Sequence, residues 1–232
     1  MTFRLTRGTN DMKEILPGLF HWRVIWPDIW SLESYFLRTG TGSVIIDPIE
    51  SGRLDVVDQA TDVEAVIVTS GWHERSARLF GKRTCAPVFV PERDVCMFED
   101  LDVFETYDDG DDLPGGIRAI GAPGLTRGEH ALLSSMHSGV LFTADCVGTT
   151  AKWAPGGMKI GGHPNGHPNP SATLSHLLKP EFSHLCPGHG NPLIGNGKAE
   201  LAKLLESGVS TSSGRPAVTY FPLDPAQQPS TP

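Results

Sequence analysis

The sequence predicts a mixed α/β domain. Short β-prone runs alternate with turn-forming clusters, and helical stretches come late in each half of the chain. The largely apolar residues 63–70 are typical of a buried strand, which needs both of its faces covered. Amphipathic stretches flank this run, so helices are expected to pack on the outside of a sheet.

Most of the periodic segments are short strands. We predict strands at residues 16–25, 33–37, 65–69, 87–90, 117–120, 131–135, 140–143 and 184–186. Helices are predicted at residues 53–60, 73–81, 171–178 and 198–207. Residues 36–48 read as a hairpin around a Gly-Thr-Gly turn, and the acidic residues 106–116 as a solvated loop.

The composition fits one globular domain. A chain of 232 residues with 39% apolar content can bury a sizeable core. We expect this domain to span residues 1–208, followed by a tail at residues 209–232 that is rich in Ser, Thr, Pro and Gln. The four cysteines show no C-x-x-C spacing, so reduced core or strand residues are expected rather than disulfides or zinc ligands.

Charge and hydropathy argue against two classes of binding partner, nucleic acids and membranes. The net charge is −8, and no basic cluster interleaved with aromatic residues is present, which argues against nucleic acid. No apolar stretch approaches the ~20 residues of a membrane span. The first residues lack the apolar core of a signal peptide, so a cytoplasmic protein is expected. With nucleic acid and membrane disfavoured, the expected partner is a small-molecule substrate or ligand. The oligomeric state is left open.

Four further segments accompany the polar loop TSGWHER at residues 69–75. They are the hairpin FLRTGTGSVIIDP, then APGLTRGE at 122–129, VLFTADCVG at 140–148 and LCPGHGNP at 185–192. In this order the segments resemble the metallo-β-lactamase superfamily over roughly residues 15–205. The resemblance implies a four-layer αββα sandwich with loops meeting along one edge.

The resemblance also implies where metal ligands would stand. In that superfamily three His and a bridging Asp hold a first zinc ion, but here Ser70, Trp72 and Leu125 stand at the three His positions. Leu has no donor atom, and Trp offers only an indole N–H. Because a zinc site needs about three protein ligands, we predict that the first metal site is absent.

A second site is only partly altered. Glu74, Asp145 and His189 match its ligands and could hold one divalent ion, such as zinc, iron or manganese. Arg75 stands at the position of its missing His. A guanidinium pairs with carboxylates and repels cations, so Arg75 could replace the ion by pairing with Glu74 and Asp145. Both alternatives, no metal or one ion, stay open.

The remaining histidines carry weaker signals. His73 is one residue out of register with any ligand of the resembled superfamily, and it could either reach the pocket or begin a helix. His163 and His167 lie in a Gly-, Pro- and Asn-rich segment, which favours an exposed loop but leaves substrate contact open. His130 and His137 are expected at the surface.

Three functions follow from these residues. The first is hydrolysis of an ester, thioester or lactone at an altered site with one metal ion. The second is a non-catalytic protein that binds a ligand or partner in the pocket. The third is a metal-free enzyme that uses His73 as acid, Arg75 as oxyanion partner and Asp145 to orient them. No Ser–His–Asp or Cys–His set is recognisable in the sequence.

Overall fold

The computed structural model describes residues 12–25, 31–51, 55–58, 60–98, 101, 103–149, 158–161 and 170–207. His163, His167 and the tail at residues 209–232 lie outside these ranges. The domain boundary near residue 208 therefore stays a prediction.

The first sheet has seven strands in sequence order. They are β1 (Lys13–Leu16), β2 (Leu19–Ile25), β3 (Ser31–Arg38), β4 (Ser43–Ile46), β5 (Val63–Ile67), β6 (Val88–Pro91) and β7 (Glu105–Tyr107). The pairs from β1 to β4 are antiparallel, and those from β4 to β7 are parallel. β3 and β4 form the predicted hairpin.

The second half of the chain forms a five-stranded sheet and a small strand pair. Its strands are β8 (Asp112–Leu113), β9 (Ile117–Gly121), β10 (His130–Ser134), β11 (Val140–Phe142), β12 (Val147–Gly148), β13 (Lys159–Ile160) and β14 (His184–Cys186). The five-stranded sheet has the order β14-β11-β10-β9-β8, and β12 pairs with β13. β11 and β14 are parallel neighbours, so both strands end at the same sheet edge.

Helices cover the outer face of each sheet. They are α1 (Asp55–Asp58), α2 (Ala77–Thr84), α3 (Pro170–Leu174) and α4 (Gly197–Glu206). On β4, Val44 and Ile46 pack between the two sheets, whereas Ile45 packs toward Phe80 of α2. Leu201 of α4 joins a third apolar cluster on the outer face of the second sheet. The alternation of apolar side chains thus builds the predicted four-layer αββα sandwich.

Some sequence predictions were wrong in detail. The helix predicted at residues 73–81 begins only at Ala77, because Arg75 has a φ of 45°, a left-handed backbone that a right-handed helix cannot contain. The predicted solvated loop at 106–116 includes β8 and part of β7. His130 is 1% exposed rather than at the surface, because its ring packs against Tyr107.

The prediction of core or strand positions for the cysteines was right for two of the four. All four are free thiols; Cys146 and Cys186 are buried, whereas Cys85 and Cys96 are exposed. Exposure of Cys85 follows from its position at the end of α2, where the chain turns away. Among the described residues, no helix has the length and apolar content needed to cross a membrane.

Candidate metal centre

Three chain segments meet at one edge of the sandwich. His73 ends a short 3-10 turn, Gly71–His73, that follows β5. Asp145 lies in the turn after β11, and His189 lies in the loop after β14. The Gly188 N–H donates to the Ala144 carbonyl over 2.8 Å, which ties the last two segments together. The fold therefore brings residues far apart in sequence to one place.

His73, Asp145 and His189 form a compact buried group. One ligand atom from each residue lies within 4.8 Å of the others. His189 Nε2 is 2.7 Å from Asp145 Oδ1, and His73 Nε2 is 3.3 Å from Asp145 Oδ2. Within the described part of the chain, this is the one cluster of such side chains that could share a metal ion.

Each imidazole is oriented through its other nitrogen. His73 Nδ1 lies 2.7 Å from Asp47 Oδ2, and His189 Nδ1 lies 2.7 Å from the Ser31 carbonyl oxygen. Both partners accept hydrogen bonds, so we assign the ring proton to Nδ1 in each case. Both Nε2 atoms are then left facing Asp145. Such outer partners are what fix the ring orientation of metal-ligating histidines.

The Asp145 carboxylate has the imidazoles of His73 and His189 as its electrostatic partners. Both of its oxygens are buried and, among the described residues, receive no hydrogen bond of good geometry despite the nearby imidazoles. Burying an ionised carboxylate without a partner is costly. Two imidazole nitrogens and a carboxylate that face one another without donors fit a shared cation. The residues present therefore fit one divalent ion.

Ionisation of the group reflects the same need for positive charge. Burial and the charge of Arg75 lower the pKa of His73, but Asp145 and Asp47 raise it by more, to about 9. Burial raises the pKa of Asp145, yet His73 and His189 bring it well below its usual range. Without a metal ion, a proton on His73 would balance the Asp145 charge at neutral pH.

A second buried carboxyl group lies behind Asp145. Glu129 is fully buried and accepts hydrogen bonds from the Asp145 N–H over 3.0 Å and from the Leu125 N–H over 2.9 Å. Burial and the neighbouring Asp145 charge raise the pKa of Glu129 well above its usual value. Burial and the Asp145 charge therefore disfavour ionisation of Glu129, whereas the two imidazoles favour ionisation of Asp145.

Arg75 does not form the expected ion pairs. Among the described residues, its guanidinium makes no salt bridge with Glu74 or Asp145. Nη1 donates to the carbonyls of Glu33 and Asp47, and Nη2 lies 3.3 Å from both the Gly188 carbonyl oxygen and His73 Nε2. The left-handed backbone at Arg75 turns the side chain toward these carbonyls. The prediction that Arg75 neutralises Glu74 and Asp145 directly was wrong.

The other predicted site residues lie around this group. Glu74 is half-buried and is not part of the three-residue cluster. Ser70 is buried, Leu125 is half-buried, and Trp72 is 47% exposed. The cluster thus combines Asp145 and His189 with His73 rather than with Glu74.

The backbone around the cluster is strained. Asp47 and Ala144 have φ values of 47° and 45°, in the left-handed region that non-glycine residues rarely adopt. Such conformations cost about 1–3 kcal/mol each and concentrate at functional sites. Position 188 requires glycine for a steric reason, because a Cβ atom there would lie 2.7 Å from His73 Cε1. Residues on both sides of the cluster are thus held in unfavourable or crowded positions.

Solved structures resemble the whole sandwich. A metallo-beta-lactamase family protein from Thermus thermophilus is 18% identical, with 84% of this chain and 80% of that chain covered at a TM-score of 0.62. A metallo beta lactamase from Hirschia baltica is 13% identical, with 84% and 96% covered at a TM-score of 0.63. The chain has the metallo-β-lactamase fold.

Other comparisons add detail about this fold. A further structure, determined in a di-iron-bound form, is 21% identical, with 78% of this chain and 96% of that chain covered at a TM-score of 0.58. No family model and no curated protein matches the sequence. At these sequence identities, the similarity to metallo-β-lactamase structures shows the architecture alone. The function of the site has to be inferred from its own residues.

Sequence reasoning missed the residues that orient the ligands. The sequence placed Asp47 only within the predicted hairpin at residues 36–48, and nothing in it singled out Ser31. A signal for Asp47 existed, because a lone Asp directly after a buried strand is placed at a sheet edge. Ser31 acts through its backbone carbonyl, so its residue type carries no signal.

Proposed function

We propose that this chain is a metal-dependent hydrolase that uses one divalent ion held by His73, Asp145 and His189. The main support is that two imidazole Nε2 atoms converge on the buried Asp145 carboxylate, which receives no hydrogen bond of good geometry from the described residues. Zinc, iron and manganese all suit a set of two nitrogen ligands and one oxygen ligand. Three protein ligands also leave an open position for substrate or water.

The chain's own residues prepare this site. A bound ion would supply Lewis-acid chemistry toward a carbonyl group and toward water. Asp47 and the Ser31 carbonyl hold the two rings in the tautomer that presents Nε2. Asp145 supplies the negative charge, and Glu129 holds the Asp145 backbone by accepting its N–H. Preorganisation of this kind is a large part of catalytic power.

The proposed substrates are small carboxylic-acid derivatives: esters, thioesters or lactones. Their carbonyl group is what a Lewis acid beside an open position would activate. A structural neighbour described as a metallo beta lactamase supports hydrolysis of an acyl bond as the reaction class.

A non-catalytic binding protein is the second candidate. One observation favours it: Arg75 Nη2 lies 3.3 Å from His73 Nε2, the nitrogen that would hold the ion. A guanidinium in contact with this nitrogen could supply the positive charge instead of a metal. The third possibility, metal-free catalysis by His73, Arg75 and Asp145, would use the same contact.

Metal analysis separates these proposals. We expect protein purified without chelator to retain no more than one transition-metal ion per chain through gel filtration, as measured by plasma emission spectrometry. Chelation should abolish hydrolysis of acyl substrates, and zinc, iron or manganese should restore it. His189→Ala should lower metal affinity by more than about a hundredfold, because even outer-shell changes cost roughly 10–100-fold.

The matched control is His184→Gln. His184 also bonds through both ring nitrogens, to the His137 carbonyl and the Gly195 N–H, but it lies on β14 outside the cluster. This variant should keep the metal. Two retained ions per chain would contradict the proposed site. Hydrolysis that survives both chelation and His189→Ala would favour the metal-free mechanism. No turnover, with a small acid raising the melting temperature, would favour the binding protein.

A further inference from the structure

Glu33 on β3 is fully buried, yet nothing about acyl hydrolysis requires a carboxylate there. Its backbone N–H donates to the Gly188 carbonyl over 3.0 Å, and its Oε1 accepts the Gly190 N–H over 3.1 Å. Both residues that flank His189 are therefore bonded to Glu33.

Further contacts extend this anchorage. The Glu33 carbonyl accepts the Arg75 guanidinium, which also lies 3.3 Å from the Gly188 carbonyl oxygen. The other carboxylate oxygen of Glu33 is paired with His21 Nε2 and, over 3.1 Å, with Arg23 Nε. Arg23 in turn donates to Asn191 Oδ1 over 2.7 Å. Glu33 thus contacts the loop from Gly188 to Asn191 through its backbone at Gly188, through its side chain at Gly190, and through Arg23 at Asn191.

The cost of burying Glu33 indicates a specific role. A buried carboxylate and its partners seldom stabilise a fold more than apolar residues of the same volume would. Burial raises the pKa of Glu33, but the His21 hydrogen bond and the Arg23 charge lower it to below its usual value, so the group stays charged. The charge acts on a loop whose central residue is His189.

We propose that Glu33 is a positioning residue that sets the His189 ring against Asp145. Ser31, two residues earlier on the same strand, orients the ring by accepting its Nδ1–H over 2.7 Å. Glu33 fixes the backbone on both sides of that ring. β3 therefore sets both the position and the tautomer of His189.

The inference rests on the proposed metal site for its effect on affinity, but the ring position can be tested without metal. In chelated protein we expect Glu33→Gln to speed exchange of the His189 Nδ1–H proton with water by at least about tenfold, as the loss of one charged hydrogen bond allows. Proton NMR measures this rate. Glutamine keeps the shape of the side chain and removes its charge, so a purely steric role would leave the rate unchanged.

Metal affinity is the second readout. Chelator competition should give a zinc affinity about 10–100-fold weaker for Glu33→Gln than for wild type, the usual range for outer-shell partners. His184→Gln is the control and should change neither readout. Should Glu33→Gln fail to fold, Arg23→Met removes the half-exposed anchor of Glu33 and Asn191 and should shift both readouts in the same direction by less.

The outcomes separate the two proposals. A folded Glu33→Gln with wild-type proton exchange and zinc affinity would overturn the positioning role and leave the metal site standing. Wild-type protein that binds no zinc, combined with faster His189 exchange in Glu33→Gln, would end the metal proposal and keep the positioning role.

Discussion

Asp94 and Asp145 are both 2% exposed, but their carboxylates have opposite surroundings. Asp94 accepts the backbone N–H groups of Gly71 and Gly128, each over 2.8 Å. The Asp145 carboxylate accepts no backbone N–H among the described residues and instead faces two imidazoles. A carboxylate with two backbone N–H donors is satisfied by the protein backbone, whereas Asp145 needs a positive charge, either a metal ion or a protonated His73. Of these two carboxylates, Asp145 is therefore the one that needs a positively charged partner.

The same contrast divides the site in two. Gly71 follows Ser70, and Gly128 comes shortly after Leu125, two of the positions where the resembled superfamily has first-site ligands. Asp94 joins these two segments by hydrogen bonds alone. At His73, Asp145 and His189, by contrast, the segments meet through groups that would share an ion.

The sharpest way to break the comparison is to neutralise each carboxylate in turn. Asp145→Asn should weaken zinc binding by more than about a hundredfold, because it removes a direct ligand and a negative charge that faces both rings. Asp94→Asn should keep the zinc but lower the free energy of unfolding by about 1–3 kcal/mol, since one N–H donor loses its acceptor. Chelator competition and urea unfolding measure the two effects.

An equal loss of zinc affinity in both variants would contradict this division. Such a result would mean that Asp94 acts on the ligands through Gly71. Retention of zinc by Asp145→Asn would show that the ion binds elsewhere.

The pH dependence of the free energy of unfolding of the metal-free protein tests the charge at Asp145 without changing that residue. His73 has a pKa of about 9 in the fold, above its unfolded value of about 6.5. Its contribution is fully present below pH ~6.5 and is lost as the pH rises through about 9, a decline of about 3 kcal/mol. Urea unfolding of chelated protein across this window measures the decline.

Two variants check the source of this slope. His73→Gln should flatten the decline, whereas Asp94→Asn should lower stability at every pH and keep it. Zinc should also remove the decline, because a metal-ligating imidazole is already deprotonated. A chelated wild-type protein whose stability is level between these pH values would contradict the proton on His73.

Arg75 offers the smallest of the expected effects. Arg75→Met removes a positive charge that lies beside His73 Nε2, so zinc should bind about tenfold more tightly. Two charges ~4 Å apart interact by up to about 4 kcal/mol at an effective dielectric of 20, and the partial exposure of Arg75 reduces this repulsion. Metal-free protein should become less stable, because the carbonyls of Glu33, Asp47 and Gly188 each lose one hydrogen-bond donor. Arg83→Met, on the exposed face of α2 with its Asp58 pair, is the control.

Unchanged or weaker zinc binding in Arg75→Met would show that Arg75 supports the ligands more than it repels the ion. The same experiment ranks the two candidate functions. A strong gain in affinity would indicate that Arg75 holds the place of the metal in the wild-type protein.

Local sequence patterns were enough to predict the architecture. Strands such as β5 and β11 are short apolar runs bounded by turn residues, and the order of the motifs indicated which sandwich they build. The start of α2 was mispredicted, because no pattern in SGWHER reveals that Arg75 adopts a left-handed backbone. The spacing of apolar residues along one segment can be read from the sequence, but a single backbone dihedral angle that delays the start of a helix cannot.

The sequence by itself determined which ligand types stand at the strand ends: His73 after β5, Asp145 after β11 and His189 after β14. Only the tertiary structure decided that His73 turns inward beside Asp145, and that Arg75 turns to backbone carbonyls instead of carboxylates. The reason is distance along the chain. His73 is oriented by Asp47, and His189 by the carbonyl of Ser31 and the loop contacts of Glu33, partners that no local periodicity connects.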